Sequence, residues 1–205
     1  MRVAAGQFGS VVELIPESYL ATLDLPAIFG RNAPLQVDLG CGDGSFLARL
    51  ATRHPEQNFL GIERLLGRIR SSTHKARNLP NVRVLRLETS YAIRYLLPNG
   101  SVEMFHLLFP DPWPKRRHQR RRIVTNEFLE SISAALAPNG AFRVVTDQRD
   151  YFDYIRELLA QTNSFQIGSP EDNELEFPES KFERGFKAQG APIYRLILRK
   201  VSPVR

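Results

Sequence analysis

The chain has 205 residues, 42% of them hydrophobic and 24% charged, with a formal net charge of +6. That composition fits a soluble globular protein with a real core; no apolar run reaches the roughly 18 residues of a membrane-spanning helix, and a single cysteine, Cys41, excludes an internal disulfide. The charge is concentrated: the cations from Lys115 to Arg122, set against Asp111, leave +5 on residues 110–123 and +1 on everything else, which points to a polyanionic partner.

Residues 1–33 read as an N-terminal extension. They lack the charged-then-apolar pattern of a secretory signal, so a reducing cytoplasm is the expected compartment. Beyond them, short apolar runs alternate with segments of helical spacing. Leu35–Gly40 reads as a buried strand, and "SFLARLATRH" as the helix after it. Asn58–Glu63 is a second strand, followed by a helix that Pro80 ends. Val82–Leu87 is a third strand, then "YAIRYLL" a short helix stopped at Pro98-Asn99-Gly100. Val102–Phe109 is a fourth strand. "TNEFLESISAAL" is a helix with Thr125 as N-cap. Pro138-Asn139-Gly140 is a turn ahead of a fifth strand, Ala141–Asp147. "YFDYIRELLAQ" is a helix, and Ile193–Lys200 a last strand. Such alternation predicts an α/β fold with a doubly wound, mostly parallel sheet and helices on both faces. The whole chain, 1–205, is read as one domain.

Ligands of such sheets bind at the carboxyl ends of the strands. Four of the five ends carry an acid at or beside them: Asp38, Glu63, Glu88 and Asp147. The fifth carries "FPDPWPK", with Asp111 inside it. The first strand runs into "VDLGCGDGSF", where Gly40, Gly42 and Gly44 allow a tight turn and close approach of a ligand. A dinucleotide fingerprint needs a third glycine where this chain has Ser45. A carboxylate such as Asp38 would also oppose a pyrophosphate on the helix N-terminus. A ligand bearing a sulfonium and an amino group would instead welcome it. Glu63 falls where a carboxylate meets a ribose diol, and Glu88 is a partner for an adenine amino group. The combination reads as an S-adenosylmethionine site. The four histidines and Cys41 show no zinc spacing, so no metal is expected.

Together, "FPDPWPK", the strand end Thr146-Asp147 and "SKFERGFKAQG" (Ser180–Gly190) resemble the bacterial tRNA (guanine-N7)-methyltransferases. The resemblance runs from "QVDLGCG" to "IYRLIL". It implies a Rossmann-like class I methyltransferase with a seven-stranded sheet whose last strand is antiparallel. It also implies methylation of guanosine 46 in the tRNA variable loop. Carried onto this sequence, it makes Asp111 the catalytic residue and a cofactor contact. The other cofactor residues are Asp38, Gly40, Gly42, Gly44, Glu63 and Glu88. Asp38 stands where most members have Glu, and Glu88 where Asp or Asn is usual. Lys115, Asp147, Ser180, Lys181, Phe182 and Glu183 become substrate contacts, with Ser180 replacing the family's Thr. Arg116, Arg117 and Arg120 are read as phosphate contacts. Residues 110–123 and 170–192 are then substrate loops, tRNA is the partner, and the chain is a monomer or a homodimer.

Guanine N7 carries a lone pair and no proton. It attacks a methyl group without a general base, so the demand on the protein is positioning and electrostatics. Asp111 is expected to stabilise the positive charge the purine gains, on a corner stiffened by Pro110, Pro112 and Pro114. Trp113 either stacks on a base or packs under the loop. His118 is read as a phosphate contact and Cys41 as a small filler. Two rivals remain: an exocyclic-amine RNA or DNA methyltransferase, and a noncatalytic RNA-binding domain of the same fold.

Overall fold

A computed structural model describes residues 12–168 and 177–201. Parts of the N-terminal extension and of the expected 170–192 loop therefore lie outside the described residues.

Eight strands form one sheet: β1 (Glu13–Leu14), β2 (Leu35–Leu39), β3 (Asn58–Glu63), β4 (Val82–Arg86), β5 (Val102–Leu108), β6 (Leu136–Thr146), β7 (Phe165–Ile167) and β8 (Tyr194–Lys200). Their spatial order is β1-β4-β3-β2-β5-β6-β8-β7. Every pair is parallel except those made by β8, which runs antiparallel to both β6 and β7. The two-residue edge strand β1 is added to the seven strands expected. All residues of β2 and β3 are buried, as strands covered on both faces must be. From β2 the chain winds outward through β3 and β4, then returns to the other side of β2 for β5. The switch point lies between β2 and β5.

The helices are α1 (Leu25–Phe29), α2 (Ser45–Arg53), α3 (Leu66–Ala76), α4 (Thr89–Tyr91, continued as a π turn over Ala92–Leu96), α5 (Asn126–Ala135), α6 (Arg149–Leu159) and α7 (Lys181–Ala188). The predicted cap holds: Thr125 Oγ1 accepts the Phe128 amide. One apolar cluster joins Val37 and Leu39 to α5 and α6 through Phe128, Ile132, Tyr151 and Ile155. A second joins Phe59 and Val84 to α2 and α3 through Phe46, Leu50 and Ile69. Pro138-Asn139-Gly140 does not precede a strand as expected. It forms an irregularity inside β6, where the pairing slips between Val102 and Met104 and Asn139 adopts φ 64°. No helix among the described residues is long and apolar enough to cross a membrane.

Candidate active site

The glycine loop leaves β2 at the switch point. Gly40, Gly42 and Gly44 all have positive φ, between 57° and 74°. Gly44 is doubly constrained, because a Cβ there would lie 2.7 Å from Ser72 Cα. Glu63 fastens this loop to the end of β3. Its Oε2 accepts the Gly42 amide at 3.2 Å, and its Oε1 accepts the amides of Arg64 and Leu65 at 2.8 and 2.9 Å. From α3, Ser72 Oγ donates to Gly42 O at 2.8 Å, and Lys75 Nζ reaches Asp43 Oδ2 at 2.6 Å. Cys41 is buried under the loop, and burial raises its thiol well above the ordinary range, so it stays protonated. It acts as a filler.

Asp38 lies one residue before the end of β2, not beyond it, and is only 3% exposed. The sheet register sets it beside His106 on β5, and His106 beside Arg143 on β6. All three are buried, on the face covered by Phe46 and Phe177. Gln36, two residues earlier on the same face, accepts from His106 Nε2 through Oε1 at 2.7 Å. Burial raises the Asp38 carboxyl to about 7, with Arg143 pulling it down and Glu63 pushing it further up. A cationic ligand would supply the positive charge that this buried acid lacks.

Glu88, expected at an adenine edge, is the N-cap of α4; its carboxylate accepts the amides of Ser90 and Tyr91 at 3.0 and 2.8 Å. It remains exposed and beside the rim that carries Glu63.

Beyond β5 the chain makes the "FPDPWPK" corner. Phe109 and Trp113, at φ 50° and 43°, bracket Asp111 two residues to either side. Bulky residues in the left-handed region are strained and persist only where the surroundings impose them. The surroundings here are visible. Phe109 N–H donates to Val145 O at 2.7 Å, and Arg122 Nε donates to Pro112 O at 2.9 Å. Arg122, the last cation of the basic run, turns away from solvent. Its side chain is buried, pairs with Asp150 at 2.7 Å, and lies over the rings of Tyr151 and Tyr154. It pins the corner from beneath. Asp111, by contrast, is exposed and makes no hydrogen bond or ion pair with any described residue.

Residues Arg116–Arg121 form a 3-10 helix that presents Lys115, Arg116, Arg117 and Arg120 to solvent. Arg121 sits 5.0 Å over the Trp113 ring, and His118 meets that ring edge-on at 5.9 Å. Trp113 thus packs within its own loop.

The Ser180–Glu183 segment comes to the same corner. Phe109 contacts Phe182 and Phe186 of α7, with ring centroids 6.3 and 5.3 Å apart. Within the segment the side chains divide. Ser180 and Glu183 are buried in a reciprocal capping box, and Glu183 also pairs with Arg195 of β8. Lys181 and Phe182 are exposed, Phe182 to 55%. Asp147 is half-buried at the end of β6 and accepts from Gln148 Nε2. The expected residues thus gather along the carboxyl ends of β2, β3, β5 and β6.

Residues 32–196 match a family model described as "Putative methyltransferase". A tRNA (guanine-N(7)-)-methyltransferase of Alkalilimnicola ehrlichii is 37% identical over 184 residues, 87% of this chain and 77% of that protein. The chain belongs to the tRNA (guanine-N7)-methyltransferase family. The family member from Thermotoga maritima is 36% identical over 193 residues; the match takes in 93% of this chain but 62% of that longer protein. A solved structure titled an antibiotic-related methyltransferase superposes with a TM-score of 0.62 over 92% of this chain and 96% of its own, at 17% identity, a likeness of fold. The methyl donor is S-adenosylmethionine. The site suits it: the positive-φ glycine loop leaves backbone open to close approach, and Asp38 and Glu63 set buried carboxylates beside that loop, which would favour cationic groups.

Several contributors escaped the sequence reading. Ser72 and Lys75 act from α3, about 30 residues from the loop they hold. Arg143 and His106 are polar residues flanked on both sides by apolar ones within their strands, which was their only signal. Arg122 is indistinguishable in sequence from its basic neighbours.

Proposed function

We infer that this chain transfers the methyl group of S-adenosylmethionine to N7 of guanosine 46 in the tRNA variable loop, by direct in-line displacement. S-adenosylmethionine supplies the methyl group as a sulfonium electrophile. The observation that carries the reading is Asp111: exposed, without a partner among the described residues, and held on a corner strained on both sides. A carboxylate so fixed needs no reorganisation as the purine gains charge. N7 has no proton to lose, so Asp111 stabilises charge and holds the base edge rather than acting as a base. The exposed Lys115, Arg116, Arg117 and Arg120 beside it suit the phosphate backbone, and exposed Lys181 and Phe182 approach the same corner. Ser180 and Glu183 contribute by shaping α7, and Asp147 completes the substrate side. The reading makes the chain one cytoplasmic domain that acts on tRNA as a monomer or a homodimer.

The test uses unmodified tRNA transcripts and labelled S-adenosylmethionine, followed by borohydride reduction and aniline cleavage at N7-methylguanosine. Label with cleavage in the variable loop is expected. Replacing Asp111 by Asn should lower kcat by roughly 10²–10³-fold, the scale of losing one aligned electrostatic contact. Label without cleavage would mean amine methylation, and bound cofactor without any transfer would mean a noncatalytic domain.

A further inference from the structure

The signed total of the sequence conceals a second basic stretch. From Arg64 to Arg94 the chain carries seven arginines and Lys75 against a single acid, Glu88, leaving +7. Acids elsewhere cancel this in the sum, so residues 110–123 seemed to hold nearly all the charge. Some of these cations are engaged: Lys75 with Asp43, Arg77 with His74, and Arg83 with the Ile28 carbonyl. The side chains of Arg64, Arg70 and Arg86 are exposed and make no hydrogen bond or ion pair with a described residue. Arg94 lies 5.4 Å over the exposed Tyr95 ring.

The placement is specific. Arg86 ends β4 and is in register with Glu63, the last residue of β3, which Arg64 follows. The two arginines line a hollow of about 460 Å³ that reaches to β1, with Ile15, Tyr19 and Leu87 in its walls. Glu13 and Glu88 line it too, and the Glu88 carboxylate is turned to the amides of Ser90 and Tyr91. The hollow is therefore neutral in sum, and the surplus charge stands around it. Tyr91 Oη donates to Tyr19 O at 2.8 Å, and the Tyr91 and Tyr95 rings lie 4.7 Å apart. A strip of rings thus runs from the hollow to Arg94. Tyr19 is 43% and Tyr95 48% exposed. Exposed rings interleaved with unpaired arginines suit single-stranded nucleic acid, rings to bases and guanidinium groups to phosphates.

We propose that this strip, from Arg64 and Arg86 to Arg94, holds a second stretch of the tRNA sugar–phosphate backbone. The proposal rests on the tRNA reading above. The strip and the Lys115–Arg120 surface lie on opposite sides of β2 in the sheet, so an RNA touching both spans the switch point where the glycine loop sits.

The test measures tRNA affinity against salt for the variant Arg64→Gln/Arg86→Gln/Arg94→Gln, with the cofactor Kd read by calorimetry. All three side chains are exposed, so the fold should tolerate the changes. Each lost phosphate contact flattens log K against log salt by roughly 0.7–0.9, so three should flatten it by about 2 or more. The cofactor Kd should stay within twofold. Tyr19→Ala should weaken tRNA by roughly tenfold with the slope unchanged, since stacking carries no counterion term. A Lys115→Gln/Arg116→Gln/Arg120→Gln variant should flatten the slope independently. If that variant flattens it and the Arg64 variant does not, the second surface is overturned while the tRNA reading stands. A tenfold rise in cofactor Kd with an intact tRNA slope assigns the hollow to the cofactor's adenosine and overturns the proposal. Wild-type protein that binds no tRNA removes both.

Discussion

Replacing Asp38 by Asn should stabilise the ligand-free protein, and more so as pH rises. The Asp38 carboxyl is pushed up to about 7 in the folded chain, against 3.8 for the free residue. Between those values the folded state holds a proton that the unfolded state releases. Stability therefore declines as pH rises through this window. At about 1.4 kcal/mol per unit, the penalty is about 2 kcal/mol at pH 5 and about 4 kcal/mol at pH 8. Arg143 and Glu63 are already included in the shift, and His106 beside Asp38 is held neutral by burial. Asn removes the titration, so its gain over wild type should be larger at pH 8 than at pH 5 by about 2–3 kcal/mol. The constant cost of burying an amide cancels in that difference. Urea denaturation followed by circular dichroism at the two pH values reads it directly. An equal effect at pH 5 and pH 8, or a larger gain at pH 5, would refute the argument. The same substitution should weaken S-adenosylmethionine binding, which separates a site kept for function from one kept for stability.

Two further substitutions probe the substrate side. Arg122→Met removes a buried ion pair, a hydrogen bond to Pro112 O and contact with two tyrosine rings. Loss of about 2–4 kcal/mol in denaturation is expected, tempered by the exposure of Asp150, with kcat falling more than tRNA affinity. Ser180→Ala removes half of the α7 capping box, so a loss of about 1 kcal/mol is expected and Ser180→Thr should restore it.

The glycine loop and its acids were legible because chemistry and position coincide: a strand end, positive φ, and a carboxylate that a cationic ligand needs. Glu63 could be found that way, though its hold on the loop amides could not. The capping box was also readable, since Ser180-x-x-Glu183 is its signature; a reading as substrate contacts drew attention to side chains that face inward. Arg122 was illegible because six like charges within residues 115–122 give no sign of which one turns under the loop. The Arg64–Arg94 surface was lost in a sum over the whole chain, where only its distribution carries information. Ser72 and Lys75 depend on how α3 packs against the loop, which helical spacing does not encode.

Strand β8 follows α7 in the chain, inserts between β6 and β7 and brings Arg195 to Glu183. During synthesis the glycine loop, the Asp111 corner and both basic surfaces leave the ribosome before it. Until Tyr194–Lys200 has been made, α7 lacks the Arg195–Glu183 pair and β7 lacks its neighbour among the described strands. The support that β8 gives to α7 is therefore assembled after the glycine loop, the Asp111 corner and both basic surfaces have been made.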